Sequence, residues 1–201
     1  MNLILLTGPP GTGKTTLGNY ISKKYNIPHL EFKEPLKEIC KSLLKIDSNL
    51  TWENICVFKD VPNPHTTFPL TAEKLMTPRE CLIHVAEKMI KPNLGKNVFV
   101  KTVIKSALET GEKYCVISDL GFQEEYDYIC KKGIPHLVIS LSKTGHDYSR
   151  DSRGSINVHG KGVDVFLSVL CNNDSTLDEL YEKVEFDIDT FYYMNRFDDL
   201  F

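Results

Sequence analysis

Apolar residues come in two rhythms along this chain, and the rhythms alternate. Leu3-Ile4-Leu5-Leu6 is an unbroken apolar run, the pattern of a strand buried on both faces of a parallel sheet. Leu17 and Ile21 follow, four apart, on one face of a helix through Thr15-Thr16-Leu17-Gly18-Asn19-Tyr20-Ile21. His29-Leu30-Glu31-Phe32 reads as a second short strand. A helix comes next, with Pro35 in its first turn and Leu36, Ile39, Cys40, Leu43 and Leu44 on one face. Thr77-Pro78-Arg79-Glu80 predicts a helix start, with Thr77 as N-cap and Glu80 closing a capping box, and Leu82, Val85, Ala86 and Met89 as the buried stripe. A further helix is predicted from about 97 to 110, with Phe99, Val103, Ala107 and Leu108 on one side and Gly111 ending it.

The second half keeps the alternation. Tyr114 to Asp119 reads as a central strand ending in a carboxylate, followed by a helix that stops at Gly133. Leu137 to Leu141 and Val165 to Leu170 are further strands, and Ser175 to Val184 is a helix capped by Ser175 and Asp178. Such alternation predicts an α/β fold, a parallel sheet flanked by helices, in a single domain over residues 1–201. Two stretches break the rhythm. Residues 47–76 hold the only tryptophan, Trp52, with Pro62, Pro64 and Pro69, and residues 143–162 are polar and glycine-containing. Long irregular segments in a compact domain are usually functional. The tail 186–201 mixes aspartates with six aromatics and is expected to dock on the body of the protein, with a homodimer contact as its other candidate role.

Composition narrows the classes without naming one. The 201 residues are 41% apolar and 25% charged, ordinary for one soluble α/β domain. The net charge of −3, with only four arginines (Arg79, Arg150, Arg153 and Arg196), argues against a long nucleic-acid partner. No apolar run approaches the roughly 20 residues that span a bilayer, so no membrane partner is expected. Six cysteines are scattered with no C-x-x-C pair, which reads as reduced thiols in a cytoplasmic protein.

The decisive chemistry is in Gly8-Pro9-Pro10-Gly11-Thr12-Gly13-Lys14-Thr15, a complete G-x-x-x-x-G-K-[ST] loop between the first strand and the first helix. Backbone N–H groups and the positive end of the helix converge there on an anionic phosphate. Lys14 is placed to reach β- and γ-phosphates, the Thr15 hydroxyl to ligate Mg²⁺, and Thr16 to complete the ATP site. The same spelling is common in AAA+ ATPases. Those need a substantial segment before the loop, where seven residues stand here, and an acidic pair, where Asp119 is followed by Leu120. A small kinase fits better, because it needs one insert for the acceptor and one closing over the donor. Residues 33–76 and 143–162 stand where those inserts belong.

Four more segments carry a family resemblance. Phe32-Lys33-Glu34-Pro35-Leu36-Lys37, Thr77-Pro78-Arg79-Glu80-Cys81-Leu82, Val116 to Glu125 and Leu170 to Leu180 resemble segments of the deoxynucleoside monophosphate kinases of tailed bacteriophages. The resemblance implies ATP- and Mg²⁺-dependent phosphoryl transfer to a (deoxy)nucleoside 5′-monophosphate, in a host cytoplasm if the source is a phage. It also implies Lys33, Lys37 and Arg79 as acceptor-site residues. One position departs: the family's arginine two places after the aspartate is Gly121 here, so that contact must come from elsewhere.

Chemistry assigns the remaining roles. A phosphate monoester has its second pKa near 6 and is mostly a dianion at pH 7, so cations matter more than a base. Arg79 at the second position of its helix sits where the dipole disfavours a cation, which a bound phosphate would offset. Arg150 and Arg153 in the second insert offer planar forks for phosphate oxygens. Asp119 is the candidate Mg²⁺ or acceptor-orienting carboxylate. A nucleotide-binding regulatory module without turnover remains an alternative reading, motivated by Gly121 and the aromatic tail. A small kinase acting on dephospho-coenzyme A, a sugar or a polynucleotide end is another.

Overall fold

The computed structural model describes all but residues 45–53, 55–60, 63–75, 150, 152, 160–164, 173–175 and 198–201, together with the side chains of 165–172, 196 and 197. Five strands form one parallel sheet: β1 (Asn2–Thr7), β2 (His29–Leu30), β3 (Tyr114–Leu120), β4 (His136–Ser142) and β5 (Val165–Asn172), in the order β2-β3-β1-β4-β5. β1 is central, pairing Leu3 to Thr7 with His136 to Ser140 of β4 and Asn2 to Thr7 with Tyr114 to Leu120 of β3. Leu3, Ile4, Leu5 and Leu6 are all fully buried, as an unbroken apolar run demands of a strand covered on both faces. The predicted second strand is shorter than expected, with only His29 and Leu30 in the ladder.

Alternation along the pleat divides the core. Ile4, Leu6, Val116, Leu137, Ile139 and Leu141 pack with Leu17 and Ile21 of α1 (Lys14–Tyr25) and with the last helix. That helix, α6 (Leu177–Phe197), overturns the expected division into a short helix and a separate tail. It runs through both, and Leu180, Val184, Ile188 and Phe191 return at helical spacing to the same core. Its box is one residue later than predicted: Thr176 Oγ1 accepts from Glu179 N (3.4 Å) and Glu179 Oε2 accepts from Thr176 N (3.1 Å). Two of the tail's aromatics, Phe191 and Tyr192, pack here, whereas Phe186 and Tyr193 are exposed. Tyr181 stacks on Tyr20 with centroids 3.7 Å apart, Tyr192 on Tyr114 at 4.0 Å, and Phe191 meets Tyr114 edge-on.

The chain divides into two compact units, residues 1–31 with 103–201, and residues 32–102. The first carries the sheet. The second contains α2 (Glu34–Leu44) and α3 (Pro78–His84), the latter running on through a π-helical stretch, Val85–Ile90, into a final turn, Lys91–Leu94. Leu36, Cys40, Cys81, Val85, Ala86 and Phe99 form its core. Three residues assigned to buried faces lie outside. Leu43 is 48% and Met89 40% exposed, and Leu108, at the end of α4 (Val98–Glu109), is 59% exposed. For Met89 the cause is the π-helical stretch, where Lys91 N–H reaches back five residues to Ala86 O. Each turn then takes more than four residues, so the inward face comes round to Ile90. In α4 the inward stripe is Val100, Val103, Ile104 and Ala107, and one further residue turns Leu108 about 100° away.

Candidate active site

Parallel strands put all their carboxyl ends on one side, where ligands of such sheets bind. At the end of β1 the chain enters the glycine loop. Gly8, Gly11 and Gly13 have φ of 139°, 82° and 90°, backbone that other L-residues rarely adopt. Gly8 has a packing reason as well, since a Cβ there would collide with Leu141 O at the end of β4. Lys14 Nζ donates to Gly8 O and Pro9 O, both at 2.7 Å, and its side chain lies buried along the loop. Thr12 Oγ1 braces the same turn by donating to Pro9 O at 2.9 Å. α1 begins at Lys14 with no side-chain cap and no acidic residue in its first turn. Helix N-termini without a side-chain cap suit anions, whereas α3 and α6 close theirs with capping boxes.

Asp119 lies in β3, the neighbour of β1, near the pairing of Leu120 with Thr7, and is 6% exposed. Thr15 is exposed on the first turn of α1. A hydroxyl and a carboxylate are hard oxygen donors of the kind Mg²⁺ takes alongside phosphate oxygens and water, so the residues present fit that ion. Among the described residues no cluster of three or more His, Cys, Asp or Glu stands ready to hold a metal by itself.

Side chains that the sequence did not single out surround this end of the sheet. His29 donates from Nδ1 to Asn19 Oδ1 (2.8 Å), and its Nε2 lies 2.7 Å from Ser118 Oγ, the residue before Asp119. Ser118 Oγ also reaches Glu31 Oε1 at 3.5 Å. The exposed His146 donates from Nδ1 to Pro10 O at 2.8 Å, its ring 2.5 Å from where a Gly11 Cβ would stand. The Tyr148 phenol is pushed up by burial and lies against the Thr7 side chain and the Gly8 backbone. Ser118 lies in the Val116–Glu125 segment, but no periodicity or motif marks His146 or Tyr148; only chain folding brings those two to the loop.

Of the two arginines expected in the second insert, Arg153 is described and Arg150 lies outside the described residues. Arg153 grips Asp151 through Nε to Oδ1 (2.9 Å) and Nη2 to Oδ2 (2.7 Å). Lys33, Lys37 and Arg79 all belong to the second unit. Lys37 is buried and its Nζ donates to Glu34 Oε2 at 2.8 Å. Arg79 follows Pro78 in the first turn of α3, where Thr77 Oγ1 accepts from Glu80 N (3.1 Å) and Glu80 Oε2 from Thr77 N (2.8 Å). Cys40, Cys81, Cys115 and Cys130 are free thiols.

With loop, helix and carboxylate in place, likeness to other proteins has something to rest on. A family model described as "AAA domain" matches residues 3–63, which cover β1, the loop, α1, β2 and α2. A protein of Acanthamoeba polyphaga mimivirus, described as "Putative deoxynucleotide monophosphate kinase", is 27% identical over 97% of this chain and 100% of its own length. The chain carries a P-loop sequence and resembles, over its full length, a protein described as a kinase. The likeness drawn from four sequence segments thus points the same way as this full-length relative. Among solved structures, a gluconokinase from Sinorhizobium meliloti matches with a TM-score of 0.47 at 10% identity, over 98% of this chain and 97% of that one. A shikimate kinase from Aquifex aeolicus matches with a TM-score of 0.42 at 13% identity, over 94% and 96%. No helix among the described residues is long and apolar enough to cross a membrane.

Proposed function

We propose that this P-loop protein transfers the γ-phosphoryl group of ATP, with Mg²⁺, to a nucleoside 5′-monophosphate, deoxynucleotides first among them. The observation that carries the reading is the uncapped start of α1, with Lys14 in the loop and Asp119 on the adjacent strand. The full-length likeness to the mimivirus protein supports the choice of acceptor. Bound to the phosphates, Mg²⁺ supplies charge neutralisation and alignment of the donor. The loop amides and the α1 terminus bind the phosphate chain, and Lys14 neutralises charge growing on its far end. Thr15 and Asp119 hold the ion, the latter directly or through water. The acceptor phosphate is mostly dianionic at pH 7, so no side chain need remove a proton from it. Arg79 binds that phosphate from the start of α3, with Lys33 and Lys37 as supporting charges, and Arg153 and Arg150 contribute cations from the 143–162 segment. Any soluble pool of nucleotides would serve such an enzyme, in keeping with a cytoplasmic setting.

The test is a coupled ADP-release assay with ATP, Mg²⁺ and a panel of dNMPs, NMPs and dephospho-coenzyme A. Acceptor-dependent ADP formation, fastest with one or more dNMPs, is expected. Its absence with every acceptor would sink the reading and favour a nucleotide-binding module without turnover.

A further inference from the structure

Arg153 fills the space that a side chain at position 121 would need. Gly121 stands two residues beyond Asp119, between β3 and α5 (Gln123–Lys131). A Cβ on it would collide with Arg153 Cδ and sit 2.8 Å from Cγ and 3.1 Å from Cβ. The backbones are joined too, for Gly154 N–H donates to Gly121 O at 3.2 Å. On the other side of the turn, Glu125 Oε2 accepts from the N–H groups of Gly121 (3.2 Å) and Phe122 (3.1 Å), fixing the glycine's position.

The guanidinium itself is forked. Its Nε and one Nη2 proton go to Asp151, whose Oδ1 also accepts the Arg153 backbone N–H at 3.1 Å. The Asp151 side chain is only 5% exposed and that of Arg153 23%, so this pair is not a solvated surface contact. Burial disfavours the Arg153 charge, and the Asp151 hydrogen bonds outweigh it, helped by the charges of Asp151, Asp119 and Glu125. A guanidinium has five N–H donors, and the Asp151 fork uses two of them. The rest of its plane can still meet an anion, and its rotamer is settled before any ligand arrives.

We propose that Gly121 and Asp151 are positioning residues that present Arg153 as a fixed phosphate-binding cation beside Asp119. The guanidinium at this corner of the sheet is thus delivered by the 151–159 segment, over a glycine that makes room for it. Position 121 lacks an arginine because the space for one is already taken. The inference rests on the phosphoryl-transfer reading for its ligand, and on the packing alone for its geometry.

Kinetics on the full chain with ATP and the best monophosphate test it, with melting temperatures measured in parallel. Arg153→Lys keeps a charge for Asp151 but not the fork, and kcat should fall by about 10²-fold with little change in melting temperature. Asp151→Asn should lower kcat about tenfold or more by releasing the fork. Gly121→Arg should be nearly inactive, because two arginines cannot share the space. The exchange Gly121→Arg with Arg153→Gly should recover a tenth or more of wild-type kcat/KM, which a merely structural ion pair would not do. Arg153→Lys within threefold of wild type, or a folded exchange variant as inactive as Gly121→Arg, would overturn the proposal. If the wild type turns over no acceptor, the phosphoryl-transfer reading fails separately. Titration with inorganic tripolyphosphate then decides for Arg153: binding weakened at least fivefold in Arg153→Lys and Asp151→Asn supports the proposal, and unchanged binding overturns it.

Discussion

Phe191→Ala measures how far α6 belongs to the core. Phe191 is 1% exposed and packs among Leu180, Val184, Ile188 and the apolar side chains of β1 and β4. Its ring meets Tyr114 edge-on at 6.1 Å between centroids, a favoured aromatic geometry. Truncating a buried phenylalanine costs about 3–5 kcal/mol, combining lost transfer free energy with the cavity left behind. For a chain of this size each kcal/mol lowers the midpoint by about 2–4 °C, so the melting temperature should drop by about 6–20 °C. Phe186 on the same helix is 75% exposed, and Phe186→Ala should change stability by no more than about 0.5 kcal/mol. Thermal and urea melts followed by circular dichroism supply both numbers. If Phe191→Ala melts no lower than Phe186→Ala, the helix is not docked as described and the core assigned to the sheet's α1–α6 face is wrong.

Lys14→Ala should cut acceptor-dependent ADP release by about 10²–10³-fold, and because it also strips the buried hydrogen bonds to Gly8 O and Pro9 O it should lower stability by about 1–3 kcal/mol in urea melts. His136 is fully buried at the start of β4 with Nε2 unpartnered, and burial holds its pKa below the ordinary value. The unfolded chain therefore takes up a proton that the native state refuses. Stability should be complete above about pH 6.5 and decline as pH falls toward the lower native value; melts from pH 8 to 5 should show a steeper decline for wild type than for His136→Leu. The buried Tyr192 hydroxyl also has no hydrogen-bond partner, while its ring stacks on Tyr114 and Tyr25. Tyr192→Phe should keep the stacking and raise stability by up to about 1 kcal/mol in urea melts, and a loss of that size would show that the hydroxyl is satisfied after all.

Much of the architecture could be read in advance because its signals are local. Leu3 to Leu6 reads as a doubly covered strand, Thr77 and Glu80 as a capping box, and Gly8 to Thr15 as a phosphate loop. Each depends on residues within a turn or two of one another. The errors come where phase accumulates or a boundary is set from afar. A π-helical stretch that no residue announces turns Met89 outward, and Ile188 and Phe191 carry the aromatic tail into the core as part of one long helix.

The candidate site divides in the same way. The sequence by itself determined the groups of the proposed donor half: a loop whose N–H groups, helix terminus and Lys14 lie within eight consecutive residues, with a carboxylate at the end of a later strand. Strand order decided the rest. Placing β3 between β2 and β1 sets Ser118 against His29, and β4 beside β1 lets the chain beyond it bring His146 and Tyr148 to the loop. Gly121 is the clearest case. In the sequence it is a missing arginine; in the folded chain it is the space that Arg153, 32 residues later, occupies. Local spacing encodes which groups a loop or a helix turn presents, whereas a contact between distant segments exists only once the sheet has paired and its connections have packed.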